Sequence, residues 1–125
     1  MFTGAFVNSS ATFIAVRSLP REDVTIVAMG YEACERCEDD DLFRGAMIDA
    51  LQGHSFPFAN SPARLRGTLT IAKSFGLRAG WAPEADFGLC TRCDVVPFAV
   101  FLNPSSMGHP DLVRYDLRYA VPTHV

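Results

Sequence analysis

All the cysteines of this 125-residue chain lie in two short motifs of the same form. Residues 34–38 read CERCE and residues 90–94 read CTRCD, each a Cys-x-Arg-Cys followed by a carboxylate. A two-residue spacer allows both thiolates of a pair to face one ion, and four thiolates complete the tetrahedral shell of a structural Zn²⁺. The sequence therefore predicts a structural zinc site whose ligands are Cys34, Cys37, Cys90 and Cys93.

The two cysteine pairs are far apart in the sequence, with more than fifty positions between Cys37 and Cys90. A shared metal therefore requires the fold, rather than a local hairpin, to bring the two loops together. The spacer arginines, Arg36 and Arg92, either offset the negative charge of a zinc ion with four thiolates or simply fill exposed positions. Because four cysteines close the coordination shell, we expect a structural rather than a catalytic metal, which argues against an enzyme.

A redox site is the alternative use of the first pair. A Cys-x-x-Cys at the start of a helix, directly after a buried strand, is the arrangement that lowers a thiol pKa. Residues 24–37, VTIVAMGYEACERC, followed by a helix, resemble the strand–CxxC–helix unit of the thioredoxin-like superfamily. This resemblance implies a thiol–disulfide oxidoreductase in which Cys34 is the nucleophile and Cys37 is the resolving thiol.

The thioredoxin-like family also places a proline before a strand and beside its CxxC. The segment VVPFAVFL at 95–102 resembles that region with Pro97 in the proline's position, and AKSFGLRAGWAP at 72–83 resembles it with Pro83. The first of these implies a thioredoxin-like arrangement in which the second cysteine pair lies close to the first, which is compatible with a shared metal. Disulfides, an iron–sulfur cluster and unrelated thiols are the remaining uses of the cysteines.

Other polar groups have simpler interpretations. The acidic run EDDD at 38–41 indicates the start of a helix rather than a cation site, because successive helical residues point in different directions. The histidines follow a helix-ending glycine, lie in a turn or stand near the C-terminus, so we expect surface or capping roles for His54, His109 and His124. The sequence contains no phosphate-binding loop, nucleophile elbow or dinucleotide fingerprint.

The composition is that of a chain able to fill a core. Apolar residues make up 49% of it, its mean hydropathy is +0.13 and its formal net charge is −3. This apolar balance predicts a protein partner or a homo-oligomer. The scattered basic residues argue against nucleic acid, and the longest apolar run, 95–102, is too short to span a membrane. The N-terminus lacks a basic segment of the signal-peptide kind, so we expect a cytoplasmic protein in a reducing compartment.

The residue pattern predicts a single domain over residues 1–125, of α+β or α/β class, with about four strands and two helices. Strands are predicted at 12–16, 24–29, 95–102 and 113–121, the last two as an antiparallel hairpin. Helices are predicted within 38–53, where an apolar face runs from Leu42 to Leu51, and within 61–76, with a loop over 77–89. The four-cysteine metal site would tie the first helix to the hairpin.

Overall fold

The computed structural model describes residues 1–20, 22–54, 65, 84–104 and 110–116. This part of the chain is a small α+β domain with three α-helices and one antiparallel sheet. Its elements are β1 (Phe2–Thr3), a 3-10 turn (Phe6–Asn8), α1 (Ser9–Arg17), α2 (Glu38–Leu51), α3 (Glu84–Cys90), β2 (Phe98–Asn103) and β3 (Asp111–Asp116). Apart from Leu65, the helix predicted within 61–76 lies outside the described residues, as does the end of the last predicted strand.

The sheet has three strands in the described residues, in the order β1–β2–β3, rather than the four that were predicted. The C-terminal hairpin is confirmed, with β2 antiparallel to β3 and Ala99 opposite Tyr115. On the other side of β2 lies β1, where Phe2 pairs with Phe101. The Phe2 ring packs against the rings of Phe101 and Tyr115, with 5.3 Å between the ring centroids in each pair. Thus β2 is the central strand of the described sheet, between β1 and β3.

The predicted strand at 12–16 is wrong, because these residues belong to α1. The buried residues of this helix are small, Ser9, Ala11, Thr12 and Ala15, and they recur at helical spacing. Small side chains let α1 approach both α2 and β2 closely, with Ala15 and Ala99 fully buried. Burial of this small-residue face therefore outweighs the strand preference of the β-branched residues in TFIAV.

The predicted strand at 24–29 is also wrong, since these residues form no helix or strand. Val24, Val27 and Met29 are exposed, whereas the sequence predicted a strand buried on both faces. The predicted loop at 77–89 is wrong over its last six residues, which belong to α3. Carboxylates at Glu84 and Asp86 in the first turn of this helix were the available signal.

The predicted first helix is confirmed as α2, whose first turn holds the whole acidic run 38–41. Its buried residues, Ala46, Met47 and Ala50, lie on the apolar face that the spacing indicated. The central cluster of the domain contains Phe6, Ala46, Leu65 and Phe87, with Leu42, Phe43 and Cys93 packed against it. Across the described ranges, no helix is both long enough and apolar enough to cross a membrane.

Candidate functional site

The first cysteine loop begins with a tight turn held by its own backbone. The Tyr31 N–H donates to the Glu35 carbonyl at 2.8 Å, and the Cys34 N–H donates to the Tyr31 carbonyl at 3.0 Å. Glu32 and Ala33, at the centre of this turn, have φ values of +50° and +56°, which are unfavourable for residues with a Cβ by about 1 kcal/mol or more each. The turn leaves the Cys34 side chain exposed.

Gly30 is required where the chain enters this turn. Its φ is +75°, and a Cβ at this position would collide with the carbonyl oxygen of Glu35. The Gly30 N–H donates to the Asp40 carboxylate at 2.6 Å, which fastens the start of the loop to the first turn of α2. The glycine therefore allows both the turn and its contact with the helix.

The remaining residues of the first loop also contact the acidic start of α2. The thiol of Cys37 donates to Asp39 Oδ1 at 2.8 Å, and this cysteine is buried immediately before the helix. Asp41 accepts from the Arg36 side chain at 2.8 Å and pairs with Arg44 at 2.9 Å. The interpretation of 38–41 as helix-start chemistry is supported, because three of its carboxylates bind neighbouring groups.

The second cysteine loop follows the end of α3. The Thr91 N–H and hydroxyl both donate to the Phe87 carbonyl, at 3.1 and 2.7 Å, and Thr91 is buried. Cys90 is exposed, whereas Cys93 is half-buried and packs against the central cluster. Burial raises the pKa of the Cys93 thiol above its usual value, and the neighbouring Asp94 carboxylate raises it further.

Asp94 joins the second loop to the start of α1. Its carboxylate accepts from the Ser9 hydroxyl at 2.9 Å, and from the Ser10 N–H and hydroxyl at 2.7 Å each. Its N–H donates to the Phe6 carbonyl at 3.0 Å, and its φ of +55° is one that Asp tolerates better than most residues. This role of Asp94 is not among the predictions from the sequence, although a carboxylate after the cysteine pair and two adjacent serines were its signal.

We expect Asp94→Ala to lower the free energy of unfolding by about 1–2 kcal/mol, the usual effect of losing a helix-capping side chain. Asp94→Asn should cost less, because asparagine keeps an acceptor oxygen and tolerates the same φ. Urea unfolding followed by circular dichroism measures both variants. Equal stability of wild type and Asp94→Ala would contradict the assigned role.

The two loops show the same pattern of exposure: the first cysteine of each pair is exposed and the second is not. The two less exposed thiols are associated with the same helix. Cys37 directly precedes α2, and Cys93 packs on the cluster that Leu42 and Phe43 of α2 also contact. The fold thus connects both pairs to the N-terminal half of α2.

All cysteines are free thiols, and the residues the structure describes contain no group of three or more His, Cys, Asp or Glu side chains that could hold a metal ion. The four-cysteine zinc site therefore stays a prediction. The donors are of the right type for Zn²⁺, but the thiols would have to move closer together to share one ion. Arg36 is occupied by Asp41, which gives it a role independent of any metal.

Of the three histidines, His54 lies within the described residues. His54 is exposed just after α2, which agrees with the expected surface position, and its backbone N–H donates to the Asp49 carbonyl at 2.9 Å. His109 and His124, like Pro83 of the thioredoxin-like resemblance, lie outside the described residues. No protein-family model, no curated protein and no solved structure matches this chain.

Proposed function

We propose that this chain is a small cytoplasmic accessory domain that binds a protein partner and holds one structural Zn²⁺ through Cys34, Cys37, Cys90 and Cys93. The observation that carries the proposal is the packing of Cys93 on the cluster formed around α2, the helix that Cys37 precedes. One thiol of each Cys-x-x-Cys loop is thus associated with the same part of the core, and this association supports a shared site.

The surroundings of each thiol suggest how a metal would be held. Cys37 and Cys93 are anchored by burial, while Cys34 and Cys90 are exposed near the end of a short turn and at the end of α3. The exposed thiols would therefore complete the shell by moving toward the anchored ones. Binding requires thiolates, so it would release protons and replace the hydrogen bond from Cys37 to Asp39.

The accessory role is supported by how little large apolar surface the described residues bury. Half of their buried apolar residues are alanines, which are Ala11, Ala15, Ala46, Ala50 and Ala99. Several large apolar side chains are exposed instead, among them Val27, Met29, Leu89 and Leu112. Exposed apolar side chains of this size favour a surface that a protein partner covers.

Metal analysis together with thiol titration tests the zinc assignment. Protein purified under reducing conditions and supplied with zinc should retain one ion per chain, and its thiols should react with a disulfide reagent only after a chelator is added. Cys34→Ser should abolish retention, whereas Glu35→Gln, an exposed change in the same loop that removes no thiol, should preserve it. Zinc-supplied protein that is metal-free with freely reactive thiols would refute the assignment.

A thiol–disulfide oxidoreductase is the second candidate, favoured by one observation: Cys34 is exposed and Cys37 is buried just before a helix. In this reaction the Cys34 thiolate attacks a substrate disulfide and releases one substrate thiol, and Cys37 then displaces the other. The substrate gains two electrons and the loop becomes a disulfide. Reduction of a model disulfide that is lost in Cys34→Ser but kept in Cys90→Ser would favour this candidate over zinc.

A further inference from the structure

Residues 24–29, with the sequence VTIVAM, have the composition of a strand but form none. The side chains from residue 25 to residue 30 alternate in exposure: Thr25, Val27 and Met29 are exposed, and the residues between them are half-buried. Val27 is 74% exposed and Met29 is 72% exposed. This period of two is typical of a strand that lies with one face on the protein and the other in solvent.

The backbone of residues 24–29 makes no hydrogen bond with any other residue that the structure describes. The neighbouring Gly30 N–H is bound by Asp40 of α2. In a strand, N–H and C=O groups of alternate residues point to the same side. With residues 24–29 extended, the N–H and C=O groups of Val24, Ile26 and Ala28 therefore lie on the same side as the Gly30 N–H and face α2. Those of Thr25, Val27 and Met29 form an open edge.

Charge indicates which partner fits this edge. The strand β3 also has an open edge in the described sheet, but Asp111, Arg114 and Asp116 protect it from pairing, and Arg114 binds Asp116 at 2.8 Å. Residues 24–29 contain no charge at all. An uncharged strand suits another uncharged strand. Of the other uncharged strands in the described residues, β2 is already paired on both sides and β1 has only two residues, so a second copy of 24–29 is the partner that fits.

We propose that residues 24–29 pair antiparallel with the same residues of a second copy of this chain, about a twofold axis at Val27. Val27 then faces its own copy, and Thr25 faces Met29 of the other chain, so that the residues of the open edge make the hydrogen bonds. A twofold pairing of this kind uses the open edge of 24–29 in both chains and closes after two copies. The exposed side chains of both segments join into one apolar stripe.

Sedimentation over about a hundredfold range of protein concentration tests this pairing. We expect a dimer that dissociates on dilution. Val27→Lys should raise its dissociation constant by about tenfold or more, because two like charges then lie directly opposite each other. Leu112→Lys, a matched change at a 67% exposed residue of β3, should leave the dissociation constant unchanged.

Amide hydrogen exchange of the wild type gives a second measurement that needs no variant. The amides of Thr25, Val27 and Met29 should be protected in concentrated samples and lose protection on dilution. A monomer at every concentration, or a dimer disrupted by Leu112→Lys but not by Val27→Lys, would overturn the proposal. Failure of this pairing would leave the zinc assignment standing, because metal content is measured per chain.

Discussion

Replacing Phe87 by alanine is expected to lower the free energy of unfolding by about 3–5 kcal/mol. Phe87 is 3% exposed and packs in the cluster with Phe6, Ala46 and Leu65. The change removes a buried ring from this cluster and leaves a cavity in its place. The loss includes both the apolar transfer term and the cavity term.

The matched control for Phe87 is Leu89→Ala in the same short helix. Leu89 is 54% exposed, so its truncation should change stability by no more than about 0.5 kcal/mol. Denaturant unfolding of both variants, with the slope compared to the wild type, provides the measurement. If the two substitutions have equal effects, α3 does not pack as the structure shows.

Cys34→Ser and Cys90→Ser are expected to lower the stability of the zinc-supplied protein by several kcal/mol each, as loss of a structural zinc does. These two variants are decisive because both thiols are exposed. Without a metal, a serine at either position should change stability by no more than about 0.5 kcal/mol. A large effect at an exposed cysteine therefore requires a bond that the free thiol does not make.

The double variant Cys34→Ser/Cys90→Ser separates one shared ion from two independent sites. With a single ion, the first substitution already releases it, so the second adds almost nothing. Thermal unfolding in zinc and in chelator measures all three variants. Unchanged melting temperatures in zinc would refute the structural metal, and additive losses would show that the pairs act separately.

The elements that could be predicted are those whose structure is determined by residues within or next to the element itself. The helix α2 has acidic residues in its first turn, an apolar face and Gly53 after its end, and these signals agree. The hairpin of β2 and β3 follows from an apolar run, a turn and an alternating segment. Neighbouring strands in sequence pair readily, so this contact needed no information from the rest of the chain.

The prediction of a strand at 12–16 is wrong because a residue far away in the sequence decides the structure of this segment. Asp94 caps Ser9 and Ser10 from more than eighty positions away, and the small buried residues of α1 gain by helix packing. The prediction of a strand at 24–29 is wrong for the opposite reason. Their composition favours a strand, but no partner for one lies within the described part of the chain. Local preference indicates a strand at 24–29, but a strand forms only when a second strand pairs with it.

The chemical groups available to this protein can be read from its residues alone: two cysteine pairs, each followed by a carboxylate, on either side of a helix that can be predicted. How those groups are used depends on tertiary contacts. The fold buries Cys37 and half-buries Cys93, exposes Cys34 and Cys90, and directs Asp94 to the start of α1. Burial and capping of this kind depend on contacts between residues far apart in the chain. The spacing of residues along the sequence does not indicate which distant residues come into contact.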